Sequence, residues 1–378
     1  MSLCDVAIIG AGAAGLFCAG IAAQQGLSVV LIDHSAKLAE KIRISGGGRS
    51  NFTNKDIDPR APHTHFLGEN PMFARSALSR YTAQEFIALM QKHSVPIHEK
   101  HKGQMFCDRS AQDLIDVLLR ECEAGAMGGK VTRWQPCSLK GLTYSDAPGP
   151  HYVADTDQGQ VQARAVVVAS GGLSIPKIGA TDIGYQLAKQ FGLRVVEPRP
   201  ALVPLLSDEA WVHALSGVTV PDVGVRIVEG DAQAKPQATG RGSVLFTHFG
   251  LSGPVVMNVS RALTARPNSG RWLLVCDWVP TLDAQALSAQ LTAGKQSVLQ
   301  SVAQWIPKRL AEAILVQAEV PAEQPVREQA HLESQQLLSQ CFRRLAAELA
   351  VQPLHQDCAL RRARLVGIYG WHLLQVQC

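Results

Sequence analysis

The feature that most constrains this chain is a glycine-rich turn close to its start. Residues 6–9 form a dense apolar run, which is typical of a buried parallel strand. Gly10, Gly12 and Gly15 follow with the spacing G-x-G-x-x-G. In such a turn the first glycine permits a sharp bend, the second lets the backbone approach a pyrophosphate, and the third lets the next helix pack closely. The helix predicted over residues 13–25 then directs its free N–H groups at the phosphates.

A second strand with an acidic residue at its end completes this pattern. Residues 28–32 are apolar or small, and Asp33 follows them directly. A carboxylate at this position accepts hydrogen bonds from a ribose 2′-hydroxyl, and no arginine follows it to accept a 2′-phosphate. An ordinary strand–helix–strand unit without a nucleotide is the alternative. We interpret the order of elements as a dinucleotide site, and its candidate residues are Gly10, Gly12, Ala14, Gly15 and Asp33.

A triple-glycine loop follows within residues 41–54. Three consecutive glycines suit neither a helix nor the interior of a strand. The polar residues around them offer many hydrogen-bond donors, which suits phosphates or the polar edge of a nucleotide. A flexible surface loop is the alternative interpretation. The candidate cofactor-binding residues of this loop are Lys41, Ser45, Gly46, Gly47, Gly48, Arg49 and Asn51.

A further apolar strand, residues 166–168, ends in small residues and follows a short strand predicted at 160–165. Open α/β sheets bind cofactors at the carboxyl ends of their strands, where small residues let the backbone approach the ligand. Ser170, Gly171 and Gly172 are therefore predicted to contact the same cofactor.

Composition argues against several special classes of protein. Of 378 residues, 46% are hydrophobic and 18% are charged, which allows a large core. The 36 basic and 32 acidic side chains give a net charge of +4, too small to indicate a nucleic-acid or membrane partner. The nine cysteines include no C-x-x-C pair, and no metal site, signal peptide or membrane span is expected. We expect a cytoplasmic protein with a small-molecule substrate, and the sequence indicates no oligomeric state.

The character of the sequence changes after residue 192. Residues 195–206 are rich in proline, and short β-type segments follow, with helices predicted at 297–317 and 335–350. The predicted domains are residues 1–192, a nucleotide-binding domain, residues 193–350, a β-rich domain with a helical insertion, and residues 351–378, an atypical tail.

Several motifs together resemble a known family. They are the glycine turn 10–15, the loop 41–54, Phe106-Cys107, the strand end 169–172, and Phe246-Thr247-His248 with Ser252-Gly253-Pro254. The chain resembles the bacterial NAD(P)/FAD-dependent oxidoreductases of the aminoacetone oxidase-like and bile-acid-inducible-N-like flavoproteins. The resemblance implies an α/β fold: a glutathione-reductase-like FAD domain of the Rossmann type, interrupted by a β-barrel-like domain with a helical insertion. It also implies FAD along the glycine-rich segments, Val131 near the adenine, and NAD(P)H as a transient electron donor.

Two departures from that family matter. Family members often have a cysteine where this chain has Ser50, so no thiol chemistry is carried over to this position. The family also returns to its FAD domain after the insertion, through a glycine-rich segment that covers the flavin ring. Residues 355–378 do not resemble that segment, and a frameshift, a truncation and a diverged tail all stay open as explanations. Where that cover is missing, we expect FAD to be held weakly and turnover to be low.

Three functional hypotheses follow. The first is a FAD-dependent oxidoreductase of a small molecule, in which Arg49 or Lys41 stabilises charge on the reduced ring and His248 donates a proton. A purely structural turn histidine is the competing interpretation of His248. The second hypothesis is a NAD-binding dehydrogenase with one nucleotide domain. The third is a relative that binds nucleotide without turnover.

Overall fold

The computed structural model of the chain divides into two compact units. It describes residues 2–66, 68–147, 151–266, 270–283, 286, 296–322 and 346–353. The first unit runs up to Val196 and the second begins at Glu197. The sequence places the boundary close by, after residue 192.

The first unit contains a large sheet, a small sheet and the helices that cover them. Its strands are β1 (Ser2–Ile9), β2 (Ser28–Ile32), β3 (Asn51–Asn54), β4 (Ile97–Glu99), β5 (Gln104–Cys107), β6 (Lys130–Trp134), β7 (Leu139–Ser145), β8 (His151–Thr156) and β9 (Gly159–Val168). Its helices are α1 (Ala13–Gln24), α2 (Glu40–Ile44), α3 (Arg75–Arg80), α4 (Ala83–Lys92), α5 (Ala111–Glu123) and α6 (Ile183–Gln190).

The large sheet has the strand order β6-β2-β1-β9-β8-β7, and the small one β3-β5-β4. Strands β6, β2, β1 and β9 are parallel, and β8 and β7 continue the sheet antiparallel. At the carboxyl ends of these strands Ile9 pairs with Ile32 on one side and with Val168 on the other. The segments that follow β1, β2 and β9 therefore begin at one edge of the sheet, with the end of β1 in the middle.

Helices pack on both faces of the large sheet. On one face Ile8 and Leu31 lie in a buried cluster with Leu16 of α1 and Ile115 of α5. On the other face Leu187 of α6 belongs to a second buried cluster, with Ile9 and Ile32 among its members. Burial on both faces explains why β1 and β2 are continuous apolar runs without alternating polar residues.

Local signals in the sequence predict the ends of several helices. The spacing of Thr82 and Glu85 predicts a capping box, and these two residues form one at the start of α4. The side chain of Ser110 caps α5. Helix α2 differs from the prediction, which placed a short helix at residues 36–41. It begins at Glu40, directly after Ala39, whose left-handed φ of 56° excludes that residue from a helix.

Strand β9 corrects the prediction of two separate strands at residues 160–165 and 166–168. It is one strand of 10 residues that pairs with β1 along one side and with β8 along the other. Its first half alternates, with Val161 and Ala163 buried and Arg164 exposed, because only one face of that half is covered. The change from alternating residues to a continuous apolar run inside this one strand explains why the sequence predicts two strands.

In the described residues, the second unit contains a seven-stranded antiparallel sheet and several helices. Its strands are β10 (Leu205–Leu206), β11 (Thr219–Glu229), β12 (Ala238–Thr247), β13 (Gly250–Ser252), β14 (Trp272–Asp277), β15 (Ala346–Ala350) and β16 (Gln352–Pro353). Its helices are α7 (Ala210–Ala214), α8 (Pro254–Thr264), α9 (Val298–Val302) and α10 (Lys308–Gln317). Its core includes Phe246, Leu251 and Ile227, all fully buried.

This sheet curls into a barrel. The strand order is β15-β14-β11-β12-β13-β10-β16, so β15 and β16 lie at opposite edges. They are nevertheless joined through the single residue Val351. Because one residue spans less than about 4 Å, the two edges must meet. The β-barrel-like fold implied by the family resemblance is therefore present.

The end of this barrel corrects two predictions. Residues 346–350, predicted as the end of a helix, form β15 and pair with β14; the remainder of that predicted helix, 335–345, lies outside the described residues. Pairing with β14 overrides the helix propensity of an alanine-rich segment. Residues 352–353, assigned to the tail, pair with β10. The rest of the predicted tail, 354–378, lies outside the described residues.

Candidate dinucleotide-binding site

The glycine turn packs directly against the end of β9. Gly10 has a φ of +109°, and a Cβ atom on it would collide with the carbonyl oxygen of Ala169. A Cβ atom on Gly15 would collide with the carbonyl oxygen of Gly10. Both positions therefore require glycine for the turn and α1 to reach their places.

Gly12 has no such packing constraint. Its φ is −83°, and no atom of the described residues beyond its chain neighbours lies within 4 Å of a Cβ atom placed on it. Gly12 is the N-cap of α1, and as a glycine it has no side chain to cap the helix. The first turn of α1 carries no acidic residue. The space beside Gly12 and the positive helix terminus fit a pyrophosphate.

Asp33 holds the glycine turn against the end of β2. Its Oδ2 accepts a hydrogen bond from the backbone N–H of Ala11 at 2.6 Å, and its Oδ1 accepts one from the N–H of Ser35 at 2.7 Å. The side chain is 14% exposed. A carboxylate has about four acceptor positions, so these bonds leave capacity for a ribose hydroxyl.

The triple-glycine loop is held by backbone contacts. Gly46, Gly47 and Gly48 all have left-handed φ values, between 54° and 77°. A Cβ atom on Gly46 would lie 2.8 Å from the ring of Phe106. The carbonyl oxygen of Gly48 accepts a hydrogen bond from the N–H of Ala111 at 2.6 Å, at the start of α5. The glycines thus allow the loop to fold tightly between β5 and α5.

Two buried oxygen atoms in the predicted segments have no hydrogen-bond partner among the described residues: Oδ1 of Asn51 and Oγ of Ser170. A buried polar atom without a partner costs about 1–3 kcal/mol, so native proteins seldom keep one without a reason. Both atoms belong to segments assigned to the cofactor from the sequence. They fit a ligand that supplies the missing hydrogen bonds.

Lys41 connects the triple-glycine loop to the end of β9. Its Nζ donates a hydrogen bond to the carbonyl oxygen of Gly172 at 3.0 Å. A Cβ atom on Gly171 would lie 3.5 Å from the same Nζ. Partial burial lowers the pKa of Lys41 because it disfavours the charged ammonium. A positive side chain held at this edge suits an anionic cofactor.

The structure does not bring every predicted residue to this edge. Val131 pairs with Val29, whereas Trp134 pairs with Ile32 at the carboxyl ends of the strands. Val131 therefore lies towards the amino end of β6, and its place beside an adenine stays a prediction. The side chains of Ala14 and Arg49 are exposed at the start of α1 and in the loop.

Sequence reasoning missed two neighbours of Asp33. The N–H of Cys137 donates to the carbonyl oxygen of Asp33 at 2.7 Å, and Nε2 of His34 lies 2.8 Å from the carbonyl oxygen of Gly179. Both contacts depend on which strands pair, and no spacing in the sequence indicates them.

His248 lies in the second unit, in the turn between β12 and β13. Its side chain is exposed, and its ring meets that of Phe249 edge-on at 4.9 Å. The buried Thr247 organises this turn, since its Oγ1 donates to the carbonyl oxygen of Gly250 at 2.9 Å. The catalytic role of His248 stays a prediction.

Two cysteine thiols of the first unit are too buried to be reactive. Burial raises the pKa of both Cys107 and Cys122 to about 11, which keeps these thiols protonated. No group of three or more metal-ligating side chains occurs in the described part of the chain. No described helix is long and apolar enough to cross a membrane.

Comparison with known proteins identifies the family. A family model described as the HI0933-like protein Rossmann domain matches residues 4–300, which is most of the chain. The chain belongs to the HI0933-like family. This HI0933-like chain therefore has a Rossmann domain of the flavoprotein type, as expected from its motifs. The aminoacetone oxidase-like subgroup stays a prediction.

Named relatives of this HI0933-like chain include three bacterial proteins. It is 38% identical over 322 residues to the ribosomal RNA dihydrouridine synthase of Escherichia coli strain K12, covering 84% of this chain and 74% of the relative. The protein of the same name from Haemophilus influenzae is 36% identical over 320 residues, covering 84% and 75%. The 3-dehydro-bile acid delta(4,6)-reductase of Clostridium scindens is 28% identical over 287 residues, covering 74% and 65%.

Proposed function

We propose that this chain is a FAD-dependent oxidoreductase that reduces a carbon–carbon double bond conjugated to a carbonyl group, with uridine in ribosomal RNA as the favoured substrate. The observation that carries the proposal is the similarity to two proteins named ribosomal RNA dihydrouridine synthase, at 38% and 36% identity. The name of the bile acid reductase also denotes reduction of carbon–carbon double bonds.

The overall reaction balances with a nicotinamide donor. Uridine, NAD(P)H and one proton give dihydrouridine and NAD(P)⁺. The double bond lost joins C5 and C6 of the base, and it gains one hydride and one proton. FAD, when bound, supplies the capacity to carry two electrons from the nicotinamide to the substrate.

The residues of this chain bind and orient that cofactor. Backbone N–H groups at the start of α1, next to Gly12, are proposed to bind the pyrophosphate. Asp33 is proposed to accept from the ribose of the adenosine. Asn51 Oδ1 is proposed to accept a hydrogen bond from the cofactor, Ser170 Oγ to donate or accept one, and Lys41 to provide positive charge.

The proton source is a separate proposal. His248 is the proposed donor because an imidazole exchanges protons near neutral pH. A His248→Gln variant should lose turnover while keeping bound FAD. Loss of FAD together with activity would indicate the competing structural interpretation.

A free small molecule is the alternative substrate, as composition led us to expect. The net charge of +4 by itself gives no reason to expect RNA. The bile acid reductase is a relative whose name denotes a small substrate, but it is the more distant one at 28% identity. A NAD-only dehydrogenase is the second alternative, and it requires no flavin.

Assays on the purified protein distinguish the proposed RNA-modifying flavoenzyme from the two alternatives. Supplied with an excess of FAD, the protein should show the absorbance of bound flavin, oxidise NADPH or NADH and produce dihydrouridine in an unmodified ribosomal RNA transcript, measured by mass spectrometry of nucleosides. The comparison substrate, tested in the same assay, is a steroid with a 3-keto-4,6-diene. Reduction of the steroid alone would favour the small-molecule alternative. A colourless protein that binds NAD but not FAD would favour the dehydrogenase.

A further inference from the structure

The segment that leaves β9 runs across the carboxyl edge of the large sheet. We call residues 169–179 the crossover strap. It starts where Ala169 meets Gly10, and it ends where the carbonyl oxygen of Gly179 lies 2.8 Å from Nε2 of His34. His34 follows β2, and β1 separates β2 from β9. The strap therefore spans about two strand spacings, roughly 10 Å, past the end of β1.

Two side-chain contacts hold the strap. Lys41 Nζ donates to the carbonyl oxygen of Gly172 near its start, and His34 Nε2 contacts Gly179 at its end. Gly179 has a φ of +86°, and a Cβ atom there would lie 2.8 Å from the same His34 nitrogen. The absence of a side chain at Gly179 thus lets the imidazole approach the backbone closely.

Among the described residues, much of the far end of the strap is exposed. Leu173 is 37% exposed, and Pro176 and Lys177 are also exposed, whereas Ser174 is buried. The His34 side chain is itself 46% exposed. A segment with few buried apolar contacts opens at low cost, so a single hydrogen bond has a measurable effect on how often it opens.

We propose that the contact between His34 and Gly179 is a clasp that keeps the crossover strap closed over the dinucleotide edge and slows the release of FAD. This inference rests on the proposed function for the identity of the ligand. His34 is a positioning residue, since it acts on the cofactor through the strap. Because a carbonyl oxygen can only accept, a hydrogen bond in this contact requires the tautomer of His34 with the hydrogen on Nε2.

Three variants of the full chain test the clasp. His34→Phe keeps a ring but removes the donor, and His34→Gln restores an N–H group at similar reach. His98→Phe is the matched control, because His98 is a half-exposed histidine of the same unit whose Nδ1 lies 2.6 Å from Asp108. The measurements are the FAD dissociation rate and, on FAD-free protein, the rate of trypsin cleavage after Lys177, with the melting temperature as a check on folding.

We expect His34→Phe to release FAD roughly two- to tenfold faster, the range that one net hydrogen bond gives. Cleavage after Lys177 should accelerate by a similar factor, at an unchanged melting temperature. His34→Gln and His98→Phe should match the wild type in both rates. This combination separates an opened strap from a general loss of stability.

Wild-type rates of FAD release and of cleavage in His34→Phe would overturn the clasp and leave the proposed function intact. If wild-type protein bound no FAD, the proposed function would fail instead. In that case cleavage after Lys177 decides alone whether His34 keeps the strap closed. Acceleration in His98→Phe as well would also overturn the clasp, since the effect would then not be local.

Discussion

Gly10 and Ala169 are in contact across two neighbouring strand ends, with no space for a side-chain carbon between them. This contact closes the glycine turn against β9 and brings Ser170 to the same edge as Gly12. Two glycines that are only two positions apart therefore differ in their roles. Gly10 is required by packing within the protein, and Gly12 borders open space.

The first prediction separates these roles. Gly10→Ala combines a collision with an unfavourable φ and should cost about 2–4 kcal/mol of folding free energy, or prevent folding. Gly12→Val should leave the unfolding free energy within about 1 kcal/mol and abolish FAD binding, because its side chain fills the space of the pyrophosphate. Chemical denaturation and FAD titration on both variants measure this. Normal FAD affinity in Gly12→Val would show that the cofactor lies elsewhere.

The second prediction concerns the unpaired oxygen of Ser170. Ser170→Ala removes a buried hydroxyl that has no partner in the described chain. The FAD-free variant should be as stable as the wild type or up to about 1 kcal/mol more stable, while FAD affinity falls by about 0.5–1.5 kcal/mol. Unchanged or higher stability in thermal melting together with lower affinity in FAD titration would indicate that the hydroxyl serves the ligand and not the fold. A destabilised FAD-free variant would instead indicate a structural hydroxyl.

The third prediction concerns the carboxylate of Asp33. Asp33→Ala should weaken FAD binding by about 1.5–3 kcal/mol, the range for a hydrogen bond to a charged group. It should also lower the stability of FAD-free protein by about 1–3 kcal/mol, because the N–H groups of Ala11 and Ser35 lose their acceptor. Asp33→Asn keeps one acceptor oxygen, so its FAD affinity and its stability should lie between those of the wild type and of Asp33→Ala. Unchanged affinity in both variants would remove Asp33 from the ribose site.

The fourth prediction is a pH dependence of stability that comes from Glu121. Burial raises the pKa of this carboxyl, but hydrogen bonds from His93, Lys92 and Gln24 outweigh burial and hold the pKa at about 2. A carboxyl with a depressed pKa stabilises the folded state above its unfolded pKa, and that stabilisation is lost as pH falls.

We therefore expect unfolding free energy to fall by about 1–2 kcal/mol between pH 4.5 and pH 2 through this group alone, after allowance for solvent screening. Glu121→Gln should remove that part of the acid dependence. Urea denaturation of both proteins at several pH values gives the comparison. Parallel curves for the two proteins would show that Glu121 does not contribute.

Local patterns determined much of this protein. The apolar runs of β1 and β2, the glycine spacing at Gly10 and the capping box at Thr82 act over a few residues, and their effects follow from backbone sterics and nearby hydrogen bonds. For that reason the sequence alone led to the nucleotide-binding fold. The candidate cofactor segments are predictions of the same kind, because small residues at the carboxyl ends of strands let a ligand approach the backbone.

Tertiary structure decided what depends on partners far apart in the chain. Val131 lies towards the amino end of β6 because the direction and register of β6 against β2 determine which of its residues reach the carboxyl edge. Residues 346–350 form a strand because β14 offers them hydrogen bonds that a helix would make locally. The contact between His34 and Gly179 depends on the strand order, in which β1 lies between β2 and β9. Such contacts join residues that share no local pattern, so the sequence carries no short-range signal for them, and only the folded chain brings them together.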